Sequence, residues 1–201
     1  MSGSVSEALL ACVGAAALVR SAWLLVGLAR VIPVHRAARV RRWGPAELLT
    51  FLELPAFLAL TAWLLFRPPA ATLASSLALP AAALGALLAV AGVAISLWAI
   101  TTSVRRRIIL DAGHFVKKEH PLITTGAYGF VRNPMYLGII LLWLGIAVAR
   151  RNALIGLAAT AYVVPVLWLY IRAEERMLSS AFGAEFDDYA RRVGRLLPRL
   201  R

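Results

Sequence analysis

Residues 77–102, LALPAAALGALLAVAGVAISLWAITT, run 26 positions without a charged side chain. A helix rises about 1.5 Å per residue and a bilayer core is about 30 Å thick, so this stretch is long enough to cross a membrane. On either side of it, similar apolar runs occupy Glu7–Ile32, Glu47–Phe66, Pro134–Ala149 and Asn152–Ile171. The last two are separated only by Arg150 and Arg151, which makes 134–171 a helical hairpin. The sequence therefore predicts an all-α, polytopic integral membrane protein with about five transmembrane helices, the last two paired. The first run has no Lys or Arg before it and continues past Arg20, so it reads as a retained helix and not as a cleaved signal peptide.

The whole chain fits this reading. Of its 201 residues 61% are hydrophobic and 16% charged, which excludes a disordered segment and an ordinary soluble globule. Cys12 is the only cysteine, so neither a disulfide framework nor a cysteine-rich zinc site is available, and no metal is expected. The net charge of +12 would suit nucleic acid if the basic residues shared one face. Instead, 17 of the 22 Lys and Arg fall in 33–46, 103–133 and 172–201, the alternate connections of a five-span chain. Positive charge marks the cytoplasmic side, so the amino terminus is expected outside, the carboxyl terminus inside, and no nucleic acid is called for.

Three features of the apolar runs add detail. Ala81, Gly85 and Ala89 form a small-residue stripe that would let another helix approach closely. Arg20 and Glu53 are costly in hydrocarbon unless they pair or face a cavity. Arg30, near a membrane edge, is expected to snorkel. After about Thr101 the composition shifts to aromatics, Gly, Pro and charge, dividing the chain into 1–102, with three membrane helices, and 103–201, where chemistry is to be sought.

Within that second part, His120–Gly138 is too polar to span the bilayer and ends where the fourth apolar run begins. Pro134 suits a first helical position, and the free amides of that first turn together with Arg132 would make an anion site at the membrane surface. The competing reading is an interface anchor, with Tyr128, Phe130 and Tyr136 at headgroup level and Arg132 on a lipid phosphate. At the far end of the hairpin, Glu174 and Glu175 lie at the same edge as Arg132. They are either its partners or a solvated helix end neutralised by Arg172 and Arg176. Further on, Phe186, Tyr189, Ala190, Val193 and Leu197 follow helical spacing between charged residues, predicting a short amphipathic C-terminal helix.

The segment 113–201 resembles the isoprenylcysteine carboxyl methyltransferase family and its phospholipid methyltransferase relatives. The resemblance rests on His120-Pro121-Leu122, Gly126-Ala127-Tyr128, Arg132-Asn133-Pro134-Met135-Tyr136-Leu137-Gly138, the pair Glu174-Glu175, and Phe182-Gly183-Ala184-Glu185 through Tyr189, Val193 and Pro198, all in the family's order. Two departures are visible: Asn133 stands where the family often has His, and Gly126-Ala-Tyr-Gly-Phe130 replaces its common Gly-Pro-Tyr-Arg-Tyr.

The resemblance implies an S-adenosylmethionine-dependent methyltransferase. Its cofactor-binding residues would be His120, Pro121, Leu122, Gly126, Tyr128, Arg132, Asn133, Pro134, Tyr136 and Glu174, and its catalytic residues Arg132, Glu174 and Glu175. In that picture the adenosine lies near His120, Leu122 and Tyr128, the amino acid end near Arg132, Asn133 and the start of the fourth span, and Glu174 against the cofactor's positive part. His35 and His114 read as structural. Methyl transfer needs a nucleophile held in line and water excluded. A carboxylate acceptor would suit the fork of Arg132, whereas an amine, thiol or phenol would call on Glu175 as base. The partners expected are membrane lipids and a lipophilic methyl acceptor entering from the bilayer, in a bacterial inner membrane. An NADPH-dependent membrane sterol reductase and a non-enzymatic scaffold are the competing classes, and binding of S-adenosylmethionine or NADPH separates all three.

Overall fold

The computed structural model describes residues 2–37, 59, 77–105 and 121–199, and among these the secondary structure is helical with no strands beyond one isolated bridge. The helices are α1 (Ser2–Ala37), α2 (Ala78–Arg105), the single turn α3 (Ala127–Phe130), α4 (Pro134–Arg150), α5 (Ala153–Ala158), α6 (Val164–Phe182) and α7 (Ala184–Arg192). A π-helical segment, Ala159–Val163, joins α5 to α6.

The expected spans meet this architecture unevenly. Val5–Ala22 within α1 and Ala78–Ser103 within α2 are long and apolar enough to cross a membrane, whereas Pro134–Arg150 is a shorter apolar helix. The expected span Glu47–Phe66, and Glu53 with it, lies outside the described residues apart from Ala59, which is helical. Among the described residues two helices thus have the length and composition of a crossing, and the expected count of about five is not reached there. Asn152–Ile171 is not one helix. Pro165 near the start of α6 has no N–H to donate and its ring crowds the preceding turn, and the five residues before α6 widen into π geometry. α6 then runs eleven residues past Ile171, to Phe182.

The body of the fold is an antiparallel contact between α2 and α4 built from missing side chains. A Cβ on Gly145 would lie 2.6 Å from the backbone of both Ala89 and Gly85, and one on Gly92 would lie 2.5 Å from the Gly138 carbonyl. A Cβ on Gly138 would collide with Ser96. Small residues thus let two backbones touch, as the Gly85 and Ala89 of the predicted stripe suggested; Ala81, its first member, is only half-buried. α1 packs on this pair through Val13, Ala16 and Ala17, and the cluster is completed by Leu142, Trp143 and Ile146 of α4 with Ile155, Val163 and Leu167 across the hairpin. Large apolar side chains of α2 point outward instead: Leu84 is 51% exposed, Leu87 66% and Val90 51%. Small inside and large outside is the arrangement lipid favours.

The hairpin turns at Arg151, in the left-handed region at φ 48°, after which Asn152 Oδ1 accepts from the Ile155 N–H at 3.3 Å. The predicted C-terminal amphipathic helix exists but is shorter than its apolar spacing implied. α7 ends at Arg192, and Val193 is extended, so Val193 and Leu197 do not continue its buried face. The reason is a competing partner: Gly194 forms a parallel bridge with Val131, which draws the backbone off the helical path.

Candidate functional site

Gly126, at φ 63°, opens the segment that carries the site; a side chain there would be strained and would meet Thr102 Oγ1 at 2.8 Å. α3 follows as one turn, held to the end of α2 by Phe130 against Trp98, with ring centroids 5.4 Å apart, and by Tyr128 OH at 3.2 Å from Ser103 Oγ. Burial pushes the Tyr128 hydroxyl above its ordinary pKa; the Ser103 contact opposes this and the charge of Glu174 adds to it. Val131 is then extended, Asn133 precedes α4, and Pro134 stands at its first position as expected.

The chain returns to this segment from far along the sequence. Arg132 N–H donates to Gly194 O at 2.8 Å and Asn133 N–H to Arg195 O at 3.1 Å. Tyr189 of α7 donates its hydroxyl to Tyr128 O at 2.7 Å. Burial also pushes the Tyr189 hydroxyl upward, the Arg132 charge opposing, so it stays protonated and a donor. Tyr189→Phe keeps the ring and deletes that donor, leaving a carbonyl short of a partner. It should cost about 1 kcal/mol, read as a lower melting temperature in detergent.

At the centre lies Glu175. Arg132 Nε donates to its Oε1 at 3.0 Å with Nη2 at the same distance, and Asn133 Nδ2 reaches that oxygen at 3.2 Å. Arg195 donates to Oε2 through Nε at 2.9 Å and Nη2 at 2.6 Å. The remaining nitrogen of Arg132, Nη1, bonds the carbonyls of Ala190, at 2.8 Å, and Val193. Burial alone would raise the Glu175 carboxyl, but the hydrogen bonds and charges of Arg195 and Arg132 outweigh it, so the carboxyl sits below its usual range. A carboxylate so held is a weak proton acceptor.

Glu174 occupies a separate setting one residue earlier. Tyr136 of α4 donates a hydrogen bond to it, Tyr170 neighbours Tyr136, and Tyr128 lies close enough to feel the Glu174 charge. The expected site residues therefore gather into two adjoining groups: Arg132, Asn133 and Glu175 in one, Tyr128, Tyr136 and Glu174 in the other. Pro121, Leu122 and Gly126 lead into them along the preceding segment, and Pro134 starts the helix that carries Tyr136. His120 lies outside the described residues. Sequence reasoning did not single out Arg195 or Ser103. Arg195 had a signal, since it stands between Val193 and Pro198 in the final motif; Ser103 had none.

An α-helical membrane body with a polar, carboxylate-bearing site at its edge is the class that these features define. A family model described as phospholipid methyltransferase matches residues 80–185, and the chain belongs to that family. Family membership and the two long apolar helices together support a membrane location. Among similar proteins, methanethiol S-methyltransferase 2 of Bradyrhizobium diazoefficiens is 43% identical over 74 residues, covering 36% of this chain and 27% of the relative. Cobalt-zinc-cadmium resistance protein CzcN of Cupriavidus metallidurans is 38% identical over 85 residues, 42% of this chain and 38% of the relative. A probable protein-S-isoprenylcysteine O-methyltransferase of Oryza sativa subsp. indica is 32% identical over 118 residues, 57% and 59% respectively. The chain thus spans between 27% and 59% of the length of these relatives. No solved structure matches it.

Proposed function

We propose that this protein is an S-adenosylmethionine-dependent methyltransferase that acts on a small lipophilic acceptor at the membrane. The observation that carries the reading is Glu174, to which Tyr136 hydrogen-bonds and whose charge reaches Tyr128, on motifs that stand in the family's order. This donor set fits the cofactor: a carboxylate for a cationic group, and tyrosine rings for a flat base and for the attraction between cation and π face. S-adenosylmethionine supplies an electrophilic methyl group when bound. The chain's own work is to hold donor and acceptor in line and keep water out. Glu174 takes the cationic end, Tyr128 and Leu122 wall the adenosine, and Arg132 and Asn133 fix the backbone that leads into α4. Glu175, with its charge committed to Arg132 and Arg195, positions and does not serve as base.

In this reading 1–102 carries three membrane helices, and 103–201 is the catalytic region, with the transmembrane hairpin 134–171 inside it. The distribution of basic residues supports a cytoplasmic site and C-terminus with the amino terminus outside, in a bacterial inner membrane. The acceptor then reaches the site from the bilayer. Relatives named for methanethiol and for isoprenylcysteine support an apolar acceptor.

Calorimetric titration of the detergent-purified protein with S-adenosylmethionine, and in parallel with NADPH, tests the reading. Binding of the first alone is expected; binding of NADPH alone would make it a reductase, and binding of neither a scaffold. Glu174→Gln removes a charge at nearly constant volume and should weaken S-adenosylmethionine by about 1.5–3 kcal/mol, roughly tenfold to a hundredfold. Unchanged affinity would leave Glu174 a structural partner of Tyr136 and remove it from the cofactor site.

A further inference from the structure

Both polar side chains just ahead of α4 are turned toward the end of the chain. Arg132 spends its guanidinium on Glu175 and on the carbonyls of Ala190 and Val193, and Asn133 Nδ2 spends itself on Glu175 and, at 3.2 Å, on the Arg195 carbonyl. In return, Arg195 lies between two residues of α6: its fork closes on Glu175 Oε2, and its guanidinium carbon sits 4.8 Å from the Trp168 ring centroid. The two oxygens of Glu175 thus tie together segments that are 43 and 20 residues away from it. Nothing in the chemistry of methyl transfer calls for Arg195, yet it makes the shorter of the two ion pairs, with Nη2 at 2.6 Å.

We propose that residues 193–199 are a strap that completes the S-adenosylmethionine site, and that Arg195 is its positioning residue, fixing Glu175 and through it Arg132 and the start of α4. This rests on the methyltransferase reading above. The chain of cause is geometric. With Arg195 in place, Glu175 presents Oε1 to Arg132, and Arg132 then reaches the two carbonyls. The ladder between 131–133 and 194–195 sets where α4 begins, and so where Tyr136 meets Glu174. Gly194 is the tight point of the strap, since a Cβ there would run into the Leu197 carbonyl and lie 3.4 Å from Arg199 N.

Calorimetry with S-adenosylmethionine on the full chain in detergent, beside melting curves, tests this. Arg195→Gln should raise Kd by roughly tenfold or more, and Arg195→Lys, which keeps the charge and loses the fork, by less. Gly194→Ala, which removes no charge, should raise Kd in the same direction. Introduced into Glu175→Gln, Arg195→Gln should add less than about twofold, because the two act as one unit. Trp168 emission should change with Arg195→Gln as its cation leaves the ring. Variants that melt earlier but bind with wild-type Kd would make the strap a stabilising element only and overturn the proposal, as would full additivity in the double variant. If Arg195→Gln does not fold, Arg195→Lys and Gly194→Ala decide by the same criterion. Wild-type protein that fails to bind would overturn the methyltransferase reading and the strap's role together, whereas wild-type binding with unaltered variants would overturn the strap alone.

Discussion

Gly145→Val should leave little folded protein in detergent. Its Cβ alone would stand 2.6 Å from Ala89 N and from Gly85 O, both backbone atoms that cannot swing aside, and valine adds two methyl groups behind it. α2 and α4 would have to separate, and the contacts of Gly92, Gly138 and Ser96 along the same seam would open with them. Overpacking in a fitted core costs about 1–3 kcal/mol, and a clash with backbone on a helix pair that supplies most of the body belongs at or above that range. Size-exclusion profiles and melting curves read the outcome, and a monodisperse Gly145→Val with a wild-type melting temperature would mean that α2 and α4 do not touch as described. Gly129 is a useful control, since a Cβ there would meet only the Thr124 carbonyl at 3.4 Å.

Arg132→Lys should lower S-adenosylmethionine affinity or turnover thirtyfold to two-hundredfold, about 2–3 kcal/mol, although the charge is kept. The side chain is 9% exposed and holds three acceptors at once: Glu175 Oε1 and the carbonyls of Ala190 and Val193. A lysine ammonium is a point charge that can sit by the carboxylate or by the carbonyls, and whichever it leaves stays buried without that donor. Arg132 on a lipid phosphate would predict the reverse, because any cation at the interface would serve there. Near-normal binding and turnover in Arg132→Lys would therefore remove this residue from the site. Isothermal binding and initial rates with a lipophilic thiol or carboxylate acceptor both report on it.

Much of this was legible in the residues themselves. Leu77–Thr102 announced α2 to within three residues at its end, and Pro134 announced the first turn of α4, because a charge-free run and a proline leave few alternatives. The juxtaposition of Arg132 with the Glu174-Glu175 pair followed from the hairpin, which folds the two ends of 134–171 back to one edge. What stayed hidden depends on distant partners. Local periodicity carried the C-terminal helix through Leu197 because that spacing fits a helix; only the bridge from Gly194 to Val131 explains why the backbone leaves it after Arg192. In the same way, Glu175 as a neighbour of Arg172 and Arg176 is the local reading, and Arg195 becomes its partner only once the strap crosses. The π segment before Pro165 shows the opposite case: the proline was in plain view, but the form of the break, a widened turn instead of a stop, was not.

The Val131–Gly194 bridge also sets an order of events during biogenesis. Arg132 and its carbonyl partner Val193 are separated by 61 residues, and at about 5–20 residues per second a ribosome takes roughly 3–12 s to make that interval. Throughout it, Arg132 has been synthesised and its acceptors have not, while the intervening hairpin is being delivered to the bilayer. A nascent chain arrested before Val193 would carry the helices through α7 without the Val193 carbonyl that Arg132 reaches, so the Val131–Gly194 bridge can close only after the whole hairpin has been made.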